Sequence, residues 1–332
     1  MLATRDKKIV LIAVIIFVFS QTLIFANIPK DSDPSSRTVI IKSGTKLGQI
    51  ADILKKEDLI YSKILFMAGS LFYKGRLIAG EYELRRDMST IDIIRKMGEG
   101  RRNIYTLKII EGHNIYTIAE TLDKNRIMAT EEFVKLAKDK KYLKSIGIAS
   151  SSLEGYLYPD TYFYSREIDV DKFIERISRR TLKLFEDPEI RQKMAALKMD
   201  MHATLTLASM IEKESSISGE KPLVSAVFHN RIKKGMTLDC DPTVIYGTKG
   251  FGAPITKTDL LTYTPYNTYR FKGYPAGPIA NPSKASILAA LNPAPVDYLY
   301  FVSKNDGTHV FSRDMAEHNR YVGMYQRNRT TQ

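Results

Sequence analysis

A short string occurs twice in this chain. TVIIKSGTKLGQIADIL, residues 38–54, aligns without gaps to TLKIIEGHNIYTIAETL, residues 106–122. Thr38/Thr106, Ile41/Ile109, Gly44/Gly112, Ile50/Ile118, Ala51/Ala119 and Leu54/Leu122 coincide. Each copy opens with a β-branched run, turns at a glycine and continues with apolar residues at helical spacing, which predicts strand, tight turn and amphipathic helix. After the first copy, GEYEL reads as a strand and MSTIDIIRKM as a helix capped at Ser89, so the first unit is expected to run β-α-α-β-α. Further on, residues 170–198 read as helical, and a helix follows from about Ala203. Another spans Glu220 to Gly235, with Pro222 near its start. Ser283 begins a short helix, YLYFVSKNDGTHVFS reads as a hairpin turning at Asn305-Asp306-Gly307, and a last helix closes the chain. Helices and strands mix without regular βαβ alternation, and the expected class is α+β.

Ile9 to Ala26 is continuously apolar apart from a few small polar residues. At about 1.5 Å of rise per residue it is just long enough to cross a bilayer core. Arg5, Lys7 and Lys8 precede it, which predicts a cytoplasmic tail (residues 1–8), a single transmembrane anchor (9–26) and an exported remainder. No small-x-small site suits cleavage after the run, so the anchor is expected to stay. PKDSDPSSR, within residues 27–37, reads as a polar linker.

The 332 residues carry a formal net charge of +13. The basic residues are spread out rather than interleaved with aromatics in one block, which argues against a nucleic-acid module and leaves anionic wall polymer or lipid headgroups as complements. The single cysteine, Cys240, excludes an intrachain disulfide and a CxxC metal site. His113, His202, His229, His309 and His318 form no metal-binding spacing, so neither metal nor cofactor is expected. GTKGFG, residues 247–252, lacks the context of a phosphate loop, and GxSxG is absent.

The stretch LASMIEKESS places Glu212 and Glu214 around Lys213. On a helical wheel Ala203, Leu207, Met210, Ile211 and Glu214 share an apolar sector, whereas Glu212 lies opposite and is expected to be solvated or to pair with a nearby lysine. A carboxyl at the end of a buried stripe has its anion disfavoured, the condition for a general acid near neutral pH. The plainer alternative is that Glu214 lies past the last buried turn and reaches solvent or an arginine.

The first unit, residues 38–102, resembles a LysM-like module, the small fold with which many exported proteins hold N-acetylated glycans; the likeness implies either glycan binding or a purely structural role. A broader likeness runs from about residue 38 to 325. LEGYLYPDTY, ASMIEKES, VFHNRI, DPTVIYG, YNTY, GPIANPS, YLYFV, HVFS and His318-Asn319 follow one another as in the MltG (YceG-like) endolytic murein transglycosylases. That resemblance implies a membrane-anchored enzyme whose catalytic domain, residues 166–328, is joined to the module by a connecting region, residues 103–165. It implies cleavage of nascent peptidoglycan strands between N-acetylmuramic acid and N-acetylglucosamine, with 1,6-anhydro-muramyl ends and peptidoglycan synthases as possible neighbours. The family's catalytic glutamate maps to Glu214. Asn230, Arg231, Asp241, Tyr246, Asn267 and Tyr269 match motif positions and are implied to line the substrate cleft. As scaffold, Asn267 would cap a turn, Arg231 would join an ion pair and Tyr246 would sit in the core. Asp239-Cys240 depart from the family's usual Gln followed by Thr or Ser. Two other functions compete with this expectation. A non-catalytic wall-binding adaptor would not need an acid on an apolar face, and an ordinary exported hydrolase would need a second carboxylate facing Glu214.

Overall fold

The computed structural model describes residues 9–10, 13, 27–73, 75–249 and 254–327. Nearly all of the expected anchor, 9–26, lies outside the described residues; among those described, no helix is long and apolar enough to cross a membrane. The architecture is mixed α+β, in two compact units. The first comprises residues up to Thr106 together with Phe163–Asp169, and the second Leu107–Tyr162 together with Val170 onward. The region expected to connect, 103–165, therefore supplies most of its length to the second unit.

In the first unit, strand β1 (Ser36–Ile41) is followed by helices α1 (Leu47–Lys56) and α2 (Lys63–Phe72), strand β2 (Gly80–Arg85) and helix α3 (Thr90–Gly98). This is the β-α-α-β-α order expected from the sequence. The strands pair antiparallel, with Val39 opposite Tyr82 and Ile41 opposite Gly80. Period-2 alternation turns Val39 and Ile41 inward, where they meet Ile50, Ala51 and Leu54 of α1, Phe66 of α2 and Ile93, Ile94 and Met97 of α3. Ser89 caps α3 by accepting a hydrogen bond from the Asp92 amide, and the Asp92 carboxylate accepts one from the Ser89 amide. The Tyr82 hydroxyl donates to the Ile78 carbonyl at 2.6 Å, so the buried phenol keeps its polar end satisfied.

The second copy of the repeat begins with strand β3 (Tyr105–Lys108) and continues as α4 (Ile115–Lys124), capped by Asn114. The short helices α5 (Thr130–Leu136) and α6 (Lys140–Ser145) follow, and strand β4 (Thr161–Tyr164) pairs with β3. The stretch expected to be helical, 170–198, holds two helices: α7 (Val170–Leu184) and α8 (Pro188–Leu197). Asp187 caps α8 and Pro188 takes its first position, where a missing N–H costs nothing; the same proline cannot continue α7.

Helix α9 (Met201–Glu214) is the centre of the second unit, and Thr204 through Ile211 are all buried. It is thus buried all round, not amphipathic as the wheel suggested. Its small polar residues are accommodated because Thr204, Thr206 and Ser209 hydroxyls donate to backbone carbonyls one turn back. Around it lie α10 (Lys221–Lys233), α11 (Asp241–Lys249) and α13 (Lys284–Leu291), with the short α12 (Lys257–Leu261) beyond α11. Residues 262–283 form the expected long loop. The β5–β6 hairpin (Tyr300–Ser303, His309–Ser312) turns at Asn305 and Gly307, both at positive φ, and α14 (Met315–Val322) follows.

Candidate active site

The end of α9 presents two carboxyls in contrasting surroundings. Glu212 is not solvated. Its side chain is 7% exposed and pairs at 3.0 Å with Lys221, itself 4% exposed, so the expectation of a lysine partner holds while that of a surface position does not. The Ser283 amide and the Ser283 and Ser286 hydroxyls also donate to Glu212 Oε2. Burial opposes ionisation of Glu212, but these donors and the Lys221 ammonium outweigh it and hold the carboxyl below its usual value of 4.5. This is a buried anion that bolts the N-terminus of α13 to α9 and α10.

Glu214, the last residue of α9, receives one described side-chain donor, the Cys240 thiol, at 3.1 Å from Oε1. A thiol is a weak donor. Burial raises the Glu214 carboxyl from 4.5 to about 7, and the Asp241 carboxylate nearby adds to the rise; the Cys240 hydrogen bond, His309 and Arg231 pull the other way. The negative end of the helix dipole is a further reason why an anion is poorly placed at this residue. The residue as a whole is only partly buried, while the carboxyl is enclosed and leans toward the neutral form. Cys240 is buried, and burial together with Glu214 holds its thiol well above the usual range, which keeps it protonated as the donor.

Of the other residues implied by the resemblance, the structure gathers some at this end of α9 and uses others elsewhere. Asp241 opens α11 beside Cys240, and its Oδ1 accepts a 2.6 Å bond from the Tyr269 hydroxyl. Arg231 reaches across from α10: Nε donates to the Leu299 carbonyl, and Nη1 to the carbonyls of Thr237 and Leu238 and to the Asp239 carboxylate. Its guanidinium also lies 5.0 Å from the centre of the Tyr300 ring. Arg231 therefore ties the loop carrying Cys240 to the β5 strand. Asn230 donates to the carbonyls of Val296 and Tyr298. Asn267 is fully buried and donates to the carbonyls of Asp259, Leu260 and Thr262, closing the end of α12.

Tyr246, one and a half turns along α11 from Asp241, points to a residue the sequence did not mark: Glu154, buried within LEGYLYPD. Its Oε2 accepts from the Tyr246 hydroxyl at 2.9 Å and the Ile115 amide at 3.0 Å, and its Oε1 from Asn281 Nδ2 at 3.1 Å. Burial raises this carboxyl to about 8 against the pull of those donors. Asn281 in turn donates to the His113 carbonyl and accepts from the Leu157 amide. The one sequence signal for Glu154 was an acid set between Leu153 and Gly155 in an apolar, tyrosine-rich string. A separate cavity of about 590 Å³ opens on the other side of the α9 end, lined by Lys108, Glu111, Asp160, Glu212 and Lys213 among others. Among the described residues no cluster of His, Cys, Asp and Glu is arranged to hold a metal ion.

The chain is 32% identical over 330 residues to an endolytic murein transglycosylase of Bacillus subtilis, covering 93% of this chain and 89% of that one. It is 26% identical to the endolytic murein transglycosylase of Streptococcus pneumoniae (strain R6), over 86% of this chain and 57% of that longer relative. The crystal structure of a yceG-like protein from Listeria monocytogenes superposes with a TM-score of 0.60 at 31% identity, covering 87% of this chain and all of that one. The model of the YceG-like family matches residues 39–324, and the chain belongs to that family.

Proposed function

We propose that this protein is a lytic transglycosylase that cuts peptidoglycan glycan strands internally, with Glu214 as its single acid–base group. The observation that carries the reading is the Glu214 carboxyl itself, raised to about 7 by burial at the end of α9 and held by one thiol. In the protonated form it donates to the bridging glycosidic oxygen as positive charge develops at the muramyl C1. The C1–O bond breaks and the N-acetylglucosamine hydroxyl leaves. The muramyl C6 hydroxyl then closes onto C1 and its proton returns to Glu214, which restores the acid and leaves a 1,6-anhydro end. A group with a pKa near the working pH serves both half-steps. The substrate supplies the nucleophile, so no second carboxylate is required.

Asp241, near Glu214, and Tyr269, which donates to Asp241, are read as contacts for the sugar ring, with Arg231 holding the Cys240 loop in place. The apolar run 9–26 is read as a single-pass anchor in the cytoplasmic membrane with both units outside the cytoplasm. The first unit is read as a LysM-like module. The presence of Asp241 also favours a second reading, ordinary hydrolysis with that carboxylate assisting water. Mass analysis of digested glycan strands separates the two. Ends lighter by one water support the transglycosylase, and reducing ends overturn it in favour of hydrolysis. A fall in cleavage of about 10²–10⁴-fold in Glu214→Gln, with variants that keep Glu214 still active, ties the reaction to this residue.

A further inference from the structure

Helix α2 of the first unit carries an apolar stripe that its own core does not use. Phe66 is fully buried, Met67 packs against the core, and a side-chain carbon at Gly69 would lie 3.0 Å from Ile94 of α3, so that side of α2 faces inward. Ile64 and Leu71, seven residues apart on the opposite side, are 73% and 79% exposed. Between them lies Ala68, and Phe72 adjoins them, also exposed. Lys63, paired with the exposed Asp52, is exposed at the start of the helix, and Arg76 is exposed in the loop that follows its end at Phe72. A helix with an outward apolar face and basic flanks is the form that lies in a lipid interface, its apolar residues in the acyl boundary and its cations among the headgroups.

The chain itself brings that surface to a bilayer. The apolar run ends at Ala26, and by Pro29 the backbone is already fixed to the first unit: Pro29 bridges to Ser89, and Lys30 pairs with Asp58. The Tyr61 hydroxyl donates to the carbonyls of Pro29 (3.3 Å) and Lys30 (3.0 Å). Tyr61 lies two residues before α2 begins. Three residues of extended chain span at most about 11 Å, so the end of the anchor is tethered close to the start of this helix. The first residues of the linker expected over 27–37 are part of the folded unit and do not serve as a free spacer.

We infer that the Ile64–Leu71 face of α2 docks on the bilayer that holds the anchor, laying the first unit flat against anionic lipid. The inference rests on reading residues 9–26 as a membrane anchor. It is tested on the full chain reconstituted into vesicles of phosphatidylethanolamine and phosphatidylglycerol containing lipid with a nitroxide on the acyl chain. A single fluorophore is attached at Leu71→Cys, at Thr38→Cys on the outward face of β1, or at Phe19→Cys within the apolar run, each with Cys240→Ser. Docking predicts that the Leu71 label is quenched severalfold more strongly than the Thr38 label, and that adding Ile64→Ser weakens this quenching. A quenched Phe19 label with Leu71 no more quenched than Thr38 overturns docking and keeps the anchor. An unquenched Phe19 label overturns the anchor and the docking with it. A blue-shifted Leu71 label that lipid nitroxide does not quench shows the face covered by protein, such as a second copy, and overturns the inference.

Discussion

The two sides of the last turn of α9 hold carboxyls two residues apart and treat them oppositely. On one side Glu212 meets an ammonium, two hydroxyls and an amide, and is kept as an anion. On the other Glu214 meets a thiol and a neighbouring carboxylate, and is pushed toward the acid form. Burial acts on both. The number and strength of donors decide which carboxyl becomes a structural charge and which remains able to exchange a proton.

The largest effect is expected at Glu214. Glu214→Gln keeps the shape and removes the exchangeable proton; cleavage of glycan strands should fall by about 10²–10⁴-fold, the range typical of a lost general acid, with the fold retained by circular dichroism. Near-normal turnover would remove Glu214 from the mechanism. On the other side, Lys221→Ala leaves Glu212 as an unpaired buried anion and should cost about 3–5 kcal/mol in denaturant unfolding, with much of that regained when Glu212→Gln is added. If the single variant is as stable as the wild type, Glu212 is not a structural charge.

The pH dependence of stability sharpens the contrast, because the two groups have opposite signs. Glu214 titrates higher in the folded state than the 4.5 of a free glutamate, so it favours folding fully below that value and its contribution is lost as pH rises to about 7. Glu212 titrates lower, so its contribution is present above 4.5 and is lost as pH falls through its folded value. Glu214→Gln should therefore flatten the decline of stability between pH 4.5 and 7, by up to about 3 kcal/mol, while leaving acid denaturation in place. The smallest effect is expected at Cys240→Ser. A hydroxyl donates more strongly than a thiol and would stabilise the Glu214 anion, shifting the alkaline limb of the kcat/KM profile down by about half a unit. A shift upward would show that the thiol is not the donor that sets this acidity.

How far such a contrast can be read from sequence depends on where the neighbours come from. The repeat was legible because its determinants are local. Gly44 and Gly112 both adopt the positive φ that the aligned turns demanded, at 83° and 77°. The uses of the two turns were not legible. A side-chain carbon at Gly44 would meet nothing within 4 Å, whereas Gly112 lies against Glu212 and Lys213 and its amide bonds to Asn281. The break before Pro188 was readable in principle from proline geometry, but the apolar period ran through it. Glu212 was misplaced because a wheel assumes solvent on the polar side, and here Ser283 and Ser286 arrive there from 71 and 74 residues further on, beside Lys221 of the next helix. Glu154 escaped notice for the same reason: its partners Ile115, Tyr246 and Asn281 are spread across the second unit.

Gly155 has a consequence for how relatives can be sought. Its φ is +85°, and a side-chain carbon there would come within 2.6 Å of Pro278, while Leu157 and Asn281 bond across the same junction. LEGYLYPD and GPIANPS are therefore two halves of one joint, although more than a hundred residues separate them. A chain that carries one string without the other lacks half of that joint, so a search that requires both, in order, tests for a three-dimensional object instead of two short words.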